Sequence, residues 1–294
     1  MKYVTSALCA LMAMNSWACE VCGAVTSALG PGTIAAGNRH AIGLGYQFRN
    51  YHSQHPGILG LPDETSDETF QRFDLTGLYR ISARWQLKGV IPMVSNKQLK
   101  NNQTTQRQGI GDPMLTAHYF VVNQSDTSGN AIRWSLGVGM KFPVGKYSTH
   151  DEDWLMLYPG TGSWDGLVQS SLYLVRGKWG IMQEGSVLIR TQNKYNYQQG
   201  NSYNTSLYGF RNVKSVTFLL GAQFAANSND VLNGKRVSDS PVKGTSLSIS
   251  AGVSYRWKNL LAQAYYHVPV YQYLGNGYVT QKTGLNVGVY YLFN

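Results

Sequence analysis

Thr283-Gly-Leu-Asn-Val-Gly-Val-Tyr-Tyr-Leu-Phe-Asn294 ends the chain, and Leu285, Val287, Val289, Tyr291 and Phe293 take every second position of it. Alternation of this kind gives a strand one apolar face. A strand with an apolar face that finishes on a carboxyl-terminal aromatic residue is what an outer-membrane β-barrel uses to close. The rest of the sequence is therefore read against lipid.

The amino-terminal end agrees. Met1-Lys2 is a short positive region, Val4 to Met14 is apolar but too short to span a bilayer, and Ser16-Trp17-Ala18 carries small residues where a signal peptidase reads. This predicts a signal peptide over residues 1–18 and a mature chain from Cys19. No later segment has the roughly 18 consecutive apolar residues of a spanning helix, so strands must do the spanning. Composition points the same way. The chain has 32 Gly, 20 Tyr and 7 Trp but only 14% charged residues, which suits bent sheets and interfacial aromatics better than a soluble surface. A soluble lipocalin-like barrel would alternate too; the signal peptide, the aromatic content and Phe293 favour the membrane.

Twelve strands are expected, over residues 39–51, 70–81, 84–94, 112–122, 131–144, 163–175, 178–190, 203–212, 215–226, 244–257, 259–273 and 282–293. The connections after the second, sixth, eighth and tenth are tight, at Ser82-Ala83, Gly177, Val213-Lys214 and Lys258. Those after the first, third, fifth, seventh, ninth and eleventh are longer and polar, and Asn123–Asn130 is intermediate. Short turns on one side and long loops on the other predict an all-β, antiparallel transmembrane barrel of 12 strands, with short periplasmic turns, long extracellular loops and both termini periplasmic. It would occupy residues 39–294. Residues 19–38, without a strand pattern, would be a periplasmic or lumenal segment able to plug the pore. Nine basic residues (Arg80, Arg84, Arg133, Arg176, Lys178, Arg211, Lys214, Arg256 and Lys258) sit at or beside the tight turns, where they can reach phospholipid phosphates. Charges dispersed over turns, with no recognition helix, argue against nucleic acid as a partner.

Three segments resemble a known family. Gly109-Ile-Gly-Asp-Pro-Met-Leu-Thr-Ala-His-Tyr119, Lys141-Phe-Pro-Val-Gly-Lys146 and Pro159-Gly-Thr-Gly-Ser-Trp-Asp-Gly166 are similar to the Gly-Asp strand start, the Lys-Phe-Pro-x-Gly strand end and the Pro-Gly-Thr-Gly-Ser motif of the outer-membrane transporter family named for the MetA pathway of phenol degradation. With Tyr290-Tyr-Leu-Phe293 the resemblance covers most of the mature chain. It implies a barrel with a transport role for aromatic or other small hydrophobic compounds. It supplies no catalytic residues, and its substrate is not inherited with the fold.

Strand parity nominates the lumen side chains. With Ile132, Trp134, Leu136, Val138, Met140 and Phe142 toward lipid, Arg133 and Lys141 face inward, and the same parity puts Arg72, Asp74, Thr76, Arg80, Arg84, Gln86 and Lys88 inside. These line a pore or fill a closed one, and their sign predicts a mild preference for anions. The fifth loop holds His150, Asp151, Glu152 and Asp153, then Pro159 to Asp165. It is read first as a solvated or gating loop and second as a divalent-cation site. Cys19-Glu-Val-Cys22 can form a small disulfide, exchange electrons or hold a soft metal, and lipidation of Cys19 is a further alternative. No cofactor is called for. The function expected is an outer-membrane channel or transporter for small solutes, hydrophobic or aromatic among them. The alternative is a structural or adhesive barrel, and a hydrolase at the barrel rim ranks lower because His118, His150 and His267 lie on different elements. The partners expected are outer-membrane lipids and lipopolysaccharide, the barrel-assembly machinery and the solute.

Overall fold

The computed structural model describes residues 39–55, 64–148, 157–237, 240 and 243–294. The signal peptide, the segment at 19–38 with Cys19 and Cys22, and the loop residues His150, Asp151, Glu152 and Asp153 lie outside the described residues.

The strands are β1 (His40–His55), β2 (Glu64–Arg80), β3 (Trp85–Lys100), β4 (Gln103–Ile110), β5 (Met114–Ser125), β6 (Ala131–Lys141), β7 (Asp165–Arg176), β8 (Trp179–Ile189), β9 (Tyr197–Gln198), β10 (Ser202–Val213), β11 (Val216–Asn227), β12 (Val231–Leu232), β13 (Lys235–Arg236), β14 (Gly244–Trp257), β15 (Leu260–Leu274) and β16 (Val279–Phe293). Strand β1 pairs antiparallel with β2 and also with β16, where Ala41 faces Leu292 and Leu44 faces Val289. The sheet thereby closes on itself and keeps no free edge. β4 and β5 are two halves of one barrel strand interrupted at Gly111-Asp112-Pro113, both paired to β3. Twelve strands result.

Alternation decides which side chain meets which solvent. Along β6, Ile132, Trp134, Leu136, Val138 and Met140 are exposed on the outer wall, while Ser135 and Lys141 are buried inside. The inner Gly137 and Gly139 have no room for a side chain: a Cβ at 137 would lie 2.7 Å from the His118 ring, and one at 139 would meet the Leu115 carbonyl. Near the short turns the outer wall carries an aromatic belt that includes Tyr79, Trp85, Trp179, Trp257, Tyr291 and Phe293. Arg211 lies 4.9 Å above the Trp179 ring and Lys258 5.6 Å from that of Trp257, so cations and belt meet at the same depth.

One loop differs from the sequence expectation. The connection after the third strand is a continuation of the sheet, in which β3 and β4 form a hairpin turned by Asn101 and Asn102 with φ of 50° and 60°. Both asparagines tolerate that left-handed backbone, which suits a two-residue hairpin turn. Its alternation is hidden in the sequence because polar residues occupy both faces: Asn96 and Gln98 are buried inward, while Lys97 points out. β2 likewise starts at Glu64, six residues before the apolar pattern begins. Three two-residue strands, β9, β12 and β13, form a separate small sheet at the long-loop end.

Strand parity makes a direct prediction. Val138→Arg puts a charge on a residue that is 64% exposed to the outer wall and should cost about 2–4 kcal/mol. Gln169→Glu, at the inward position paired with Gly137, should cost well under half of that. Reversible urea unfolding into lipid vesicles measures both, and equal costs would reject the assigned faces.

Candidate functional site

The inner wall is polar at mid-height. Asp74 is fully buried, accepting from Arg72 Nε at 2.6 Å and from Gln47 Nε2 at 3.1 Å. Arg49 donates to Asn286 Oδ1 at 2.8 Å and to the Phe48 carbonyl at 2.8 Å. Lys88 on β3 interacts electrostatically with Glu184 on the non-adjacent strand β8, as well as with Asp74 and Arg72. Ser250 Oγ and His267 Nδ1 are 2.6 Å apart on adjacent strands, and Tyr208 beside them accepts from Gln223 at 2.5 Å. A serine against an imidazole is half of a hydrolytic site. Among the described residues, however, no carboxylate hydrogen-bonds His267 to orient it as a base.

Of the residues nominated from parity, Arg72, Asp74, Lys88, Arg133 and Lys141 project inward, as does Arg80 at the short-turn end. Arg80 lies 5.9 Å from the Phe120 ring and donates to the Ala83 carbonyl at 2.8 Å, and Arg133 lies 5.9 Å from the Tyr173 ring. Arg84 does not line the lumen. It sits in the turn before β3, where parity no longer holds, and donates to the Tyr119 hydroxyl at 3.2 Å beside the outer-wall Trp85. Parity was not carried across β1 and β8, which left out Arg49 and Glu184. Glu184, the one acidic residue of β8, was the available signal.

Lys141 and Asp165 meet where three sequence motifs converge. Lys141 Nζ lies 2.9 Å from Asp112 Oδ2 and 2.7 Å from Asp165 Oδ2, the latter off the hydrogen-bonding direction, and all three side chains are buried. The Thr161 hydroxyl also contacts the ammonium. Asp112 accepts the backbone N–H of Gly145 and of Thr161, each at 2.9 Å, and Asp165 accepts from Ser163 Oγ at 2.8 Å. Gly145 and Gly160 touch backbone to backbone, so that a Cβ on Gly160 would fall 2.7 Å from the Gly145 Cα. The Gly-Asp-Pro, Lys-Phe-Pro-x-Gly and Pro-Gly-Thr-Gly-Ser segments are therefore parts of one buried cluster. It pins both ends of the loop between β6 and β7. Asp165, expected in a solvated or cation-binding loop, is instead 1% exposed at the first position of β7, held there by Lys141.

The described residues that lead from Leu157 into this cluster lie on the inner side of the barrel. Leu157 is 2% exposed and packs with Tyr51, Phe70, Leu274 and Val279, all inward residues near the long-loop ends of their strands. Its carbonyl accepts from Asn96 Nδ2 at 3.1 Å. Glu68 beside this cluster is fully buried and accepts from Ser53 Oγ at 2.9 Å, Gln98 Nε2 at 3.1 Å and Ser66 Oγ. A second buried node ties the small sheet to the rim: Asp230 accepts from the Tyr197 hydroxyl at 2.7 Å and from the Gly200 N–H at 2.6 Å, and Arg190 donates to the Gly200 carbonyl. Burial pushes the Asp230 carboxyl up from its ordinary value, and burial beside that carboxylate pushes the Tyr197 phenol well up. Leu157, Asp112 and Asp230 had no sequence signal of their own beyond Asp112 standing in Gly-Asp-Pro.

The family model described as "Putative MetA-pathway of phenol degradation" matches residues 63–282. The chain belongs to this family. The COG4313 outer membrane channel from Pseudomonas putida F1 has a similar structure, with a TM-score of 0.66 at 16% identity over 87% of this chain and 96% of that one. The CymD monoaromatic hydrocarbon channel is also similar, at a TM-score of 0.42 and 10% identity over 90% and 91% of the two chains, as is the KdgM porin, at 0.40 and 11% over 85% and 99%. No curated protein matches by sequence. The fold, a closed 12-stranded barrel, places this MetA-pathway family member in the bacterial outer membrane, with its short turns periplasmic and its long loops extracellular.

The extracellular cluster is expected to be costly to break. Lys141→Met leaves Asp112 and Asp165 buried without a cation and should cost about 3–5 kcal/mol in urea unfolding. Adding Asp112→Asn and Asp165→Asn to it should recover most of that loss. Less than about 1 kcal/mol for the single variant would mean that the carboxylates hydrate freely and the cluster is not buried in solution.

Proposed function

We propose that the barrel is a channel for small solutes, hydrophobic and aromatic compounds among them, whose extracellular mouth is narrowed by the loop that carries Leu157. The observation that carries the reading is the contrast within the lumen. Its middle is lined by hydrogen-bonding and charged groups that can replace the hydration of a passing solute, whereas toward its extracellular end Leu157 packs in a buried, mainly apolar cluster with Tyr51, Phe70, Leu274 and Val279. A barrel built only to be stable has no use for buried Asp74 and Glu68 or for the half-buried Glu184, each of which costs desolvation. Membership of a family described by phenol degradation supports an aromatic solute.

The charge balance supports anions. Asp74 offsets Arg72, and Asp112 and Asp165 offset Lys141. At the periplasmic end positive charges gather, with Arg133 near Arg80 and Arg39 near Arg256, and they bias the potential there toward anions. The seated Leu157 also favours the second reading, a closed structural barrel.

Planar-bilayer recording separates these. The wild-type channel should show small currents with an anion-selective reversal potential in a salt gradient, and Leu157→Ala should raise the single-channel conductance. Cation selectivity would overturn the charge assignment. Silence in both proteins would favour the structural barrel.

A further inference from the structure

We propose that the periplasmic vestibule of the lumen is a binding site for single-ring aromatic carboxylates that carry a hydroxyl group. A cavity of about 510 Å³ opens there between β10, β11, β14 and β15, within the range that holds small organic ligands. Its three kinds of lining match three parts of such a molecule.

The inner surface is apolar and aromatic. Met182, Phe210, Leu219 and Leu261 are buried in it, and Tyr173 stacks on Phe210 with 5.2 Å between ring centres and 11° between planes. An aromatic ring loses its hydration against this surface and extends the existing stack. The rim is cationic, with Lys214, Arg256 and Lys258. No carboxylate of the described residues pairs with any of the three, and Asp126, the acid in the described periplasmic turns, is held by Asn130 through its N–H at 2.8 Å and its side chain at 2.7 Å. Arg39 adds a second positive charge near Arg256. A carboxylate is the group that this rim lacks.

The third element is Gln263. It lines the cavity, it is 4% exposed, and its side-chain oxygen has no hydrogen-bond partner among the described residues. A buried acceptor of this kind calls for a donor. The hydroxyl of a phenolic acid supplies one at the ring edge, away from the carboxylate; an unsubstituted aromatic acid has none, and inorganic phosphate, although its P–OH can donate, has no ring to fill the apolar surface between the rim and Gln263. The vestibule thus deepens the channel reading by naming a solute class at one point of the route, while binding itself does not require conduction.

Isothermal titration of the full-length protein in detergent micelles tests this, with 4-hydroxybenzoate, benzoate, phenol and inorganic phosphate as probes. The expected order is 4-hydroxybenzoate tightest, benzoate about tenfold weaker, and phenol and phosphate weaker still. Lys214→Gln with Arg256→Gln, both at exposed positions, should weaken 4-hydroxybenzoate by about tenfold or more. Gln263→Leu should bring 4-hydroxybenzoate down to the level of benzoate. If that variant does not fold, Gln263→Glu, which keeps the acceptor but adds a like charge to the ligand, should weaken both acids. Absence of binding, phenol binding as tightly as 4-hydroxybenzoate, or affinities indifferent to the Lys214 and Arg256 changes would overturn the proposal. Binding that persists in a protein silent in bilayers would uphold this site and remove only the channel reading.

Discussion

A lysine ammonium held between two buried carboxylates organises the extracellular half of this barrel. Lys141 ends β6, Asp165 begins β7, and Asp112 sits where β4 gives way to β5, so one charge cluster ties three points of the barrel rim. Two acids against one base leave a negative excess, which the backbone N–H groups of Gly145 and Thr161 and the hydroxyl of Ser163 stabilise. The geometry leaves the intervening chain little freedom at its two ends. A few residues before Thr161, Leu157 packs against Tyr51, Phe70, Leu274 and Val279. On the proposed channel reading, the electrostatics of the rim cluster hold the described residues that carry Leu157 in place.

Much of the transmembrane wall was legible in the sequence because lipid enforces a period of two. Val138 cannot be exchanged with Gly137 without placing a valine in the His118 ring and a hydrogen in the bilayer, so the register leaves a strong trace. The trace stops where the lipid does. Beyond the bilayer both faces of β3 and β4 are polar, and a long hairpin there reads like a loop. Parity also failed at Arg84, which lies in a turn where side-chain direction is set by φ and by the nearest acceptor.

The lumen was half legible. Parity names inward residues but not which of them meet across the barrel. The electrostatic influence of Glu184 on Lys88 links residues nearly a hundred positions apart, and the Ser250 to His267 contact depends on the register of two neighbouring strands. The three motifs singled out by resemblance were visible as segments, yet nothing in their spacing says that they converge on one ion cluster. A buried charge has an interpretable role only when its partners are known. Asp165 illustrates this. Read alone it looks like one more acid of a solvated loop; with Lys141 beside it, it is a structural anchor.

The rim cluster and the Leu157 contact are held to act in series on the same loop. The measurement that tests this is the single-channel conductance of Lys141→Met, of Leu157→Ala and of the two combined, in one lipid and one salt. If the cluster opens the mouth only by releasing Leu157, the double variant conducts no more than the larger of the two single variants. Increments that add fully in the double variant would show that the cluster and the apolar contact control separate constrictions, contrary to this account.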